Sequence, residues 1–469
     1  LAPYRCPMPS RLRTVLARVA AAVAGALDRA GVIDRSRLDE TMGLAWPRIV
    51  TGFAIMSKNT VDLAVIGYAV GVSAVAGMGF AFAYWQLAKF VSIGLAGGTV
   101  SLVSQNYGGD ERGRAGLVVK QSLIVAALLV APIVAGGTTY LAVTAPALAF
   151  EFFNMIASRT YAGVGDTRTP MVARAGGALL NVVLTGWLVL GAGLGVFGAG
   201  LGTAVSIAAV GLVLAWGMTG RSYFGRGASP VPVGRAGPWL DAGLSRQLLR
   251  VSAPLIARRV AEGVVVFPLL WIASSFGSAT VAALEVGRRV RALLGSFSWG
   301  FSIAASTLVG QRLGAGEESL ATAYGRDVIA LSAVVYVLAS AAVIAAATPI
   351  AGVFVDDPAA VSATAAFVVA AAISAVPLGV DGSVTGSLRG AGDTRWPFLA
   401  SMVGLYVFAL PVALVGLATP LGVGGLYAAL VAEKLVPAGL NGYRFRSNRW
   451  QAVSRRYRPD AGEVEEEVG

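Results

Sequence analysis

The chain has 469 residues, of which 56% are hydrophobic and 13% charged, and a mean hydropathy of +0.71, well outside the usage of soluble domains. One cysteine, Cys6, and no histidine exclude a disulfide framework, histidine-dependent catalysis and a histidine metal site. The net charge of +12 is placed in short clusters between charge-free hairpins, so no nucleic-acid partner is expected.

Residues 1–40 read as a cytoplasmic or interfacial N-terminal segment. Within it, residues 11–29 are apolar but interrupted by Arg13, Arg18 and Asp28. That leaves too short an apolar core for a signal peptide and predicts an amphipathic helix on the membrane surface. A first six-helix lobe is predicted over 41–220. Trp46-Pro47 opens its first span, which runs to Tyr68 and carries Lys58, Asn59 and Asp62. The second span, 76–104, ends at Ser104-Gln105-Asn106-Tyr107-Gly108. After the basic loop 110–116, an apolar run reaches Phe150, followed by the turn Gly165-Asp166-Thr167-Arg168. Spans over 170–192 and 197–220 complete the lobe. The Gly-, Ser-, Pro- and Arg-rich stretch 221–245 is an exposed linker. A second lobe occupies 246–443, and 444–469 is a cytoplasmic tail with a solvated acidic end.

The second lobe repeats the first. Pro254 answers Pro47 at an offset of 207, Gln311 answers Gln105 at 206, and Gly392-Asp393-Thr394-Arg395 answers the first polar turn at 227. Two parallel halves related by an axis along the membrane normal are the expected arrangement. Basic clusters fall on every second connection, which predicts an even number of crossings with both termini cytoplasmic in the cell membrane. The interval from Gln105 to Arg168 is 63 residues and that from Gln311 to Arg395 is 84, a shortfall of 21 in the first lobe. Shortened third and fourth helices are expected there, with a lost helix as the alternative. The fold expected is an all-α membrane protein of twelve transmembrane helices, in two pseudo-symmetric six-helix lobes around a central cavity.

A carboxylate inside the bilayer costs roughly 2.5–3.5 kcal/mol on insertion scales and usually serves a cavity. Four stand out: Asp62, Glu262, Glu285 and Asp381. Asp62 shares a helix face with Lys58, so an ion pair is its plainer reading. Glu262 follows Arg258 by one turn, and Glu285 precedes Arg288 and Arg289, which reads mostly as a neutralised network. Asp381 has no cation within a turn, and Asn154 stands at its position in the first lobe. Phe82, Tyr84, Trp85, Trp299 and Phe301 are candidate cavity walls for apolar cargo, against core or lipid-facing positions. The Gly193-to-Gly198 glycine pattern lies in a charge-free turn between spans and is no nucleotide fingerprint.

Pro47, Val61-Asp62, Gln105 to Gly108, Gly163 to Pro170, Asn181, Gly202-Thr203 and Gly390 to Arg395 together resemble the multidrug and toxic compound extrusion family of cation-coupled antiporters, over roughly residues 40–445. The resemblance implies no enzyme and no cofactor, but a secondary active exporter of small amphipathic cationic compounds, driven by H+ or Na+. It also implies a lipid-embedded protein, expected as a monomer. In the archaeal-type branch the first-span Asp binds the coupling cation with Asn and Asp of the fifth span and Thr of the sixth. Asp62, Asn181 and Thr203 match, while Thr185 replaces the second acid. Pro47 resembles the proline at which the first helix is proposed to bend; an ordinary helix start is the alternative. Glu262 and Asp381 match acids of the Na+-coupled bacterial branch, with Glu285 nearby. A lipid-linked glycan flippase of the same superfamily is the rival reading, usually with extra spans and a cationic central cavity. An inactive remnant is the other, given the shortened region.

Overall fold

The computed structural model describes residues 33–69, 72–135, 139–222, 233, 238–355 and 357–457, without the side chains of 56–64, 66–84, 86–87 and 131–146. These residues form twelve long helical segments and one short one. The first lobe contains α1 (Arg35–Ala69), α2 (Val72–Gly108), α3 (Arg112–Ala135), α4 (Thr139–Gly163), α5 (Arg168–Gly186, ending in a π turn Trp187–Gly191) and α6 (Gly195–Met218). The second contains α7 (Ala242–Val264, continued as Val266–Ser274), α8 (Ser278–Gly314) and α9 (Glu318–Ala345, continued as Ala347–Gly352). It is completed by α10 (Pro358–Gly390), α11 (Arg395–Met402, a π segment Val403–Ala409, then Leu410–Ala418) and α12 (Gly424–Arg446). The short α13 (Arg449–Arg455) follows. Among the described residues, seven of these segments are long and apolar enough to cross a membrane.

Side-chain caps set several starts. Asp34 Oδ1 accepts from the Ser36 amide at 2.9 Å ahead of α1, and Asp241 Oδ1 accepts from the Leu244 amide at 2.8 Å ahead of α7. Asp357 Oδ2 takes the Ala360 amide at 2.9 Å, with Pro358 at the first position of α10, where its missing N–H costs nothing. These caps correct one expectation. Pro47 and Pro254 do not open their helices; both lie inside them. An interior proline leaves the carbonyl four residues earlier without its helical donor. For Pro47 that carbonyl is Gly43's, and the Thr167 hydroxyl of the first polar turn donates to it at 3.4 Å. In the second lobe Thr394 donates to the Val251 carbonyl at 2.8 Å. The polar turns themselves need glycine, because Gly165 and Gly392 have φ of +91° and +79°.

Nearly all of the missing 21 residues come out of the lengths of α3 and α4, the rest out of the connection between them, and the twelve long segments are all present among the described residues. Helices α3 and α4 have 24 and 25 residues, whereas α9 runs from Glu318 to Gly352 and α10 has 33 residues. At about 1.5 Å per residue, α3 and α4 are each roughly 36 Å long and still exceed a hydrocarbon core of about 30 Å.

The lobes interlock along a seam that the repeat exchanges with itself. Helix α1 packs on α8 as α2 packs on α7, and α2 meets α8 on the axis. A Cβ on Gly94 of α2 would fall 2.6 Å from the Ile256 amide of α7, and one on Gly300 of α8 would fall 2.6 Å from Ile49 of α1. Gly108 and Gly314 lie so close to the Gln311 and Gln105 carbonyls that a Cβ would sit 2.0 Å away in each case. Small residues of this kind let membrane helices approach closely. Two reciprocal bonds close the seam beside the polar turns. Gln105 Nε2 donates to the Gly390 carbonyl and Gln311 Nε2 to the Gly163 carbonyl, both at 2.9 Å. The apolar cores also cross the seam: Leu244, Leu248 and Val251 of α7 pack with α2 to α6, while Leu44 and Ile49 of α1 pack with α8 and α9.

Candidate functional site

A cavity of about 110 Å³ lies where α2, α7, α8, α10 and α12 converge, walled by Ile93, Leu255, Arg258, Trp299, Asp381 and Arg389 among others. Its polar side is built on Arg258 of α7. The guanidinium donates to Glu262 Oε1 at 3.0 Å, to Asp381 Oδ2 at 2.7 Å and to Thr385 Oγ1 at 3.1 Å. Asn441 of α12 donates to the other Asp381 oxygen at 2.7 Å, and Arg259 takes the second Glu262 oxygen at 2.8 Å. Both sequence-predicted acids are therefore fully engaged in an arginine-centred network. Asp381, with no cation within a turn of its own helix, receives one from 123 residues away in sequence. A second buried set beside it joins Glu433 to Arg291 at 2.9 Å and to Lys434 at 2.8 Å.

The described interior of the first lobe also carries charge. Arg174 of α5 pairs with Glu151 of α4 at 3.4 Å and with Ser158 at 3.0 Å. Arg48 of α1 sits over the Trp299 ring of α8 with its guanidinium carbon 5.5 Å from the centroid. Arg159 of α4 is buried near Arg48, Arg174, Arg259 and Arg389, close enough for their charges to act on it. Of the interior arginines, Arg258 alone stands out in the sequence, one turn before Glu262. Glu433 stands at the edge of the charge-free run 396–432 and was detectable on the same ground as the four acids singled out.

The candidate coupling residues fall together on α5 and α6. Asn181 Nδ2 donates to Thr203 Oγ1 at 3.1 Å. Thr185 is buried with no partner for its hydroxyl among the described residues, and Gly202 allows α6 to close on it, since a Cβ there would fall 2.9 Å from that hydroxyl oxygen. Helix α1, which carries Asp62, packs against α5. The side chain of Asp62 lies outside the described residues, as do those of Phe82 and Tyr84.

Four other candidates are placed differently from one another. Glu285 is 46% exposed, pairs with Arg289 at 3.6 Å and Arg288 at 4.0 Å, and is not part of the cavity wall. Trp299 does line the cavity, and Trp85 packs against the first-lobe core. Phe301 is a correction: it is 1% exposed and belongs to the core shared with Ala45 and Ile49. Two residues along a helix turn the side chain by about 200°, so Trp299 and Phe301 cannot face the same space.

The MatE family profile matches residues 47–138 and 254–415. Similar relatives include probable multidrug resistance proteins NorM from Deinococcus radiodurans, 28% identical over 88% of this chain and 97% of that one, and from Bradyrhizobium diazoefficiens, 26% identical over 87% and 92%. Among solved structures, a MATE protein in complex with MaL6 superposes with a TM-score of 0.80 at 19% identity, covering 89% of this chain and 97% of that one. A MOP superfamily transporter from Pyrococcus furiosus, described as having a binding pocket of reverse polarity, also superposes at 0.80 with 19% identity, covering 88% and 96%. At those identities the likeness is one of fold.

Proposed function

Because this chain belongs to the MatE family, we propose that it is a multi-pass multidrug efflux transporter, exporting small amphipathic compounds in exchange for H+ or Na+ as a monomer. The observation that carries this reading is the seam. Two homologous lobes enclose a cavity and meet at one end through a reciprocal pair of glutamine bonds. An interface that both lobes build from the same residues is suited to opening and closing as a unit, which alternating access requires. The arginine bias of the connections favours a cytoplasmic position for that closed end, and on this reading the cavity would open to the opposite side.

Coupling is assigned to Asp62 with Asn181, Thr185 and Thr203. Hard cations take carboxylate, carbonyl and hydroxyl oxygens, and the unpartnered Thr185 hydroxyl offers one. A proton needs only the Asp62 carboxyl. Glu262 and Asp381 already hold Arg258, so a cation binding there would first have to displace a guanidinium; their task in this reading is to hold the network. Glu285 stays a surface charge.

The test is accumulation of ethidium and norfloxacin in efflux-deficient cells, alongside proteoliposomes in which Na+ and pH gradients are imposed separately. Wild type should lower accumulation of at least one compound, and Asp62→Asn should lose gradient-driven export while keeping its place in the membrane. A wild-type protein present in membranes that moves nothing under either gradient rules out the exporter. The flippase reading gains from the buried arginines but not from the helix number, since the described residues form twelve long segments.

A further inference from the structure

We propose that the interior cleft recognises an oxyanion, a carboxylate, sulfonate, sulfate or phosphate carried by an amphipathic molecule, in preference to an organic cation. This deepens the exporter reading by naming its cargo class, and it concerns binding, whichever way the cargo then moves.

The charge balance of the described interior points that way. Arg48, Arg159, Arg174, Arg258, Arg259 and Arg389 face three acids, Glu151, Glu262 and Asp381, and Arg291 and Lys434 share Glu433. Every one of those four carboxylates already has a basic partner within 3.4 Å. Three guanidinium groups are left over. Arg48, Arg159 and Arg389 are 9%, 8% and 9% exposed, and no carboxylate of the described residues lies within ion-pair distance of them. Arg389 lines the cavity and, among the described residues, donates to the Ser306 hydroxyl at 3.3 Å and to Ser302 at 2.8 Å and 3.2 Å. The Arg48 Nε has no hydrogen-bond partner among the described residues.

An unpaired buried charge is costly, and a lysine would shed its proton to avoid the cost. Arginine does not deprotonate in proteins, so the charge stays until an anion answers it. The three groups come from both lobes, through α1, α4 and α10: Arg48 lies over Trp299 of the cavity wall that Arg389 also lines, and the charges of Arg48 and Arg389 both act on Arg159. A guanidinium fork fits an oxyanion in two-bond geometry. Ile93, Leu255, Leu378 and Trp299 on the same wall supply apolar area for the rest of the molecule. An organic cation would meet a wall on which Glu262 and Asp381 already hold arginines.

The full-length protein in detergent is titrated with radiolabelled taurocholate, a soluble amphipathic sulfonate, and with ethidium. Taurocholate should bind the more tightly, and Arg159→Gln with Arg389→Gln should weaken it by at least about tenfold without weakening ethidium. Arg389→Lys, which keeps the charge and loses the fork, should fall between. If the double variant does not fold, the two single substitutions with unchanged thermal midpoints provide the same reading. Ethidium binding tighter than taurocholate, or taurocholate binding unaffected in correctly folded variants, overturns the proposal. A parallel assay follows transbilayer movement of fluorescent phosphatidate in proteoliposomes by dithionite quenching. Movement that taurocholate inhibits makes a lipid headgroup one source of the oxyanion, and its absence confines the source to soluble anions. Taurocholate binding without export of any compound would remove the exporter reading and leave this one standing; ethidium export without taurocholate binding would do the reverse.

Discussion

The two lobes copy each other at the seam and part company in the interior. At the seam, Gly94 and Gly300, Gly108 and Gly314, and Gln105 and Gln311 make exchanged contacts with near-equal geometry. Inside, Asp381 takes Arg258 and Asn441, while its counterpart Asn154 donates to the Ile207 carbonyl at 2.9 Å. The position matching Arg258 at the 207 offset is Thr51, whose hydroxyl donates to the Pro47 carbonyl at 2.8 Å. Acid and base are thus both neutral in the first lobe and both charged in the second. Here acid and base differ together between the lobes, as expected where removing one member of a buried pair would strand the other.

The largest expected effect tests that pairing. Arg258→Thr alone should cost about 3–5 kcal/mol, seen as a fall in the thermal midpoint of the purified protein, since it strands Asp381. Adding Asp381→Asn, which imposes the first-lobe pattern, should recover at least half of the loss; a double variant no better than the single would break the comparison. Next come Gly108→Ala and Gly314→Ala, each expected to cost about 1–3 kcal/mol by overpacking against a carbonyl that cannot move aside. Equal losses at the two sites would sharpen the equivalence of the seam, and a loss at one site only would refute it.

Smaller changes are expected from the seam bonds. Gln105→Ala and Gln311→Ala should each cost about 0.5–1.5 kcal/mol. Each should also raise maleimide labelling of a cysteine placed at buried Ser104, in a background lacking Cys6. The smallest contrast separates the two polar turns: Thr394→Val, losing a 2.8 Å bond, should destabilise more than Thr167→Val, losing one of 3.4 Å. Parity of these two, read from the same melting curves, would count against reading bond length as strength here.

Much of the architecture was readable without coordinates, because insertion into lipid writes itself as charge-free runs and because the lobe repeat carries Gln105, Gln311 and both polar turns at near-constant offsets. The shortened α3 and α4 followed from the same arithmetic. Helix starts did not. Pro47 and Pro254 read as openings because proline usually begins or breaks a helix, whereas the caps at Asp34 and Asp241 sit in polar sequence that gives no hydropathy signal. The Asn181–Thr203 contact was legible only through resemblance. Arg258 reaching Asp381, and the gathering of Arg48, Arg159 and Arg389, depend on which helices become neighbours, and hydropathy is blind to that. Phe301 failed for a simpler reason: a two-residue step reverses the helix face, and composition does not say which face is wet.

The reduced length of α3 and α4 leaves the rim of the protein uneven. Both helices match their second-lobe partners at the ends beside the polar turns, with Arg112 answering Glu318 and Gly163 answering Gly390, so the whole deficit falls at the opposite ends. There α9 is longer than α3 by roughly 16 Å of helix. The first lobe therefore matches a thinner hydrocarbon layer on that side than the second lobe does.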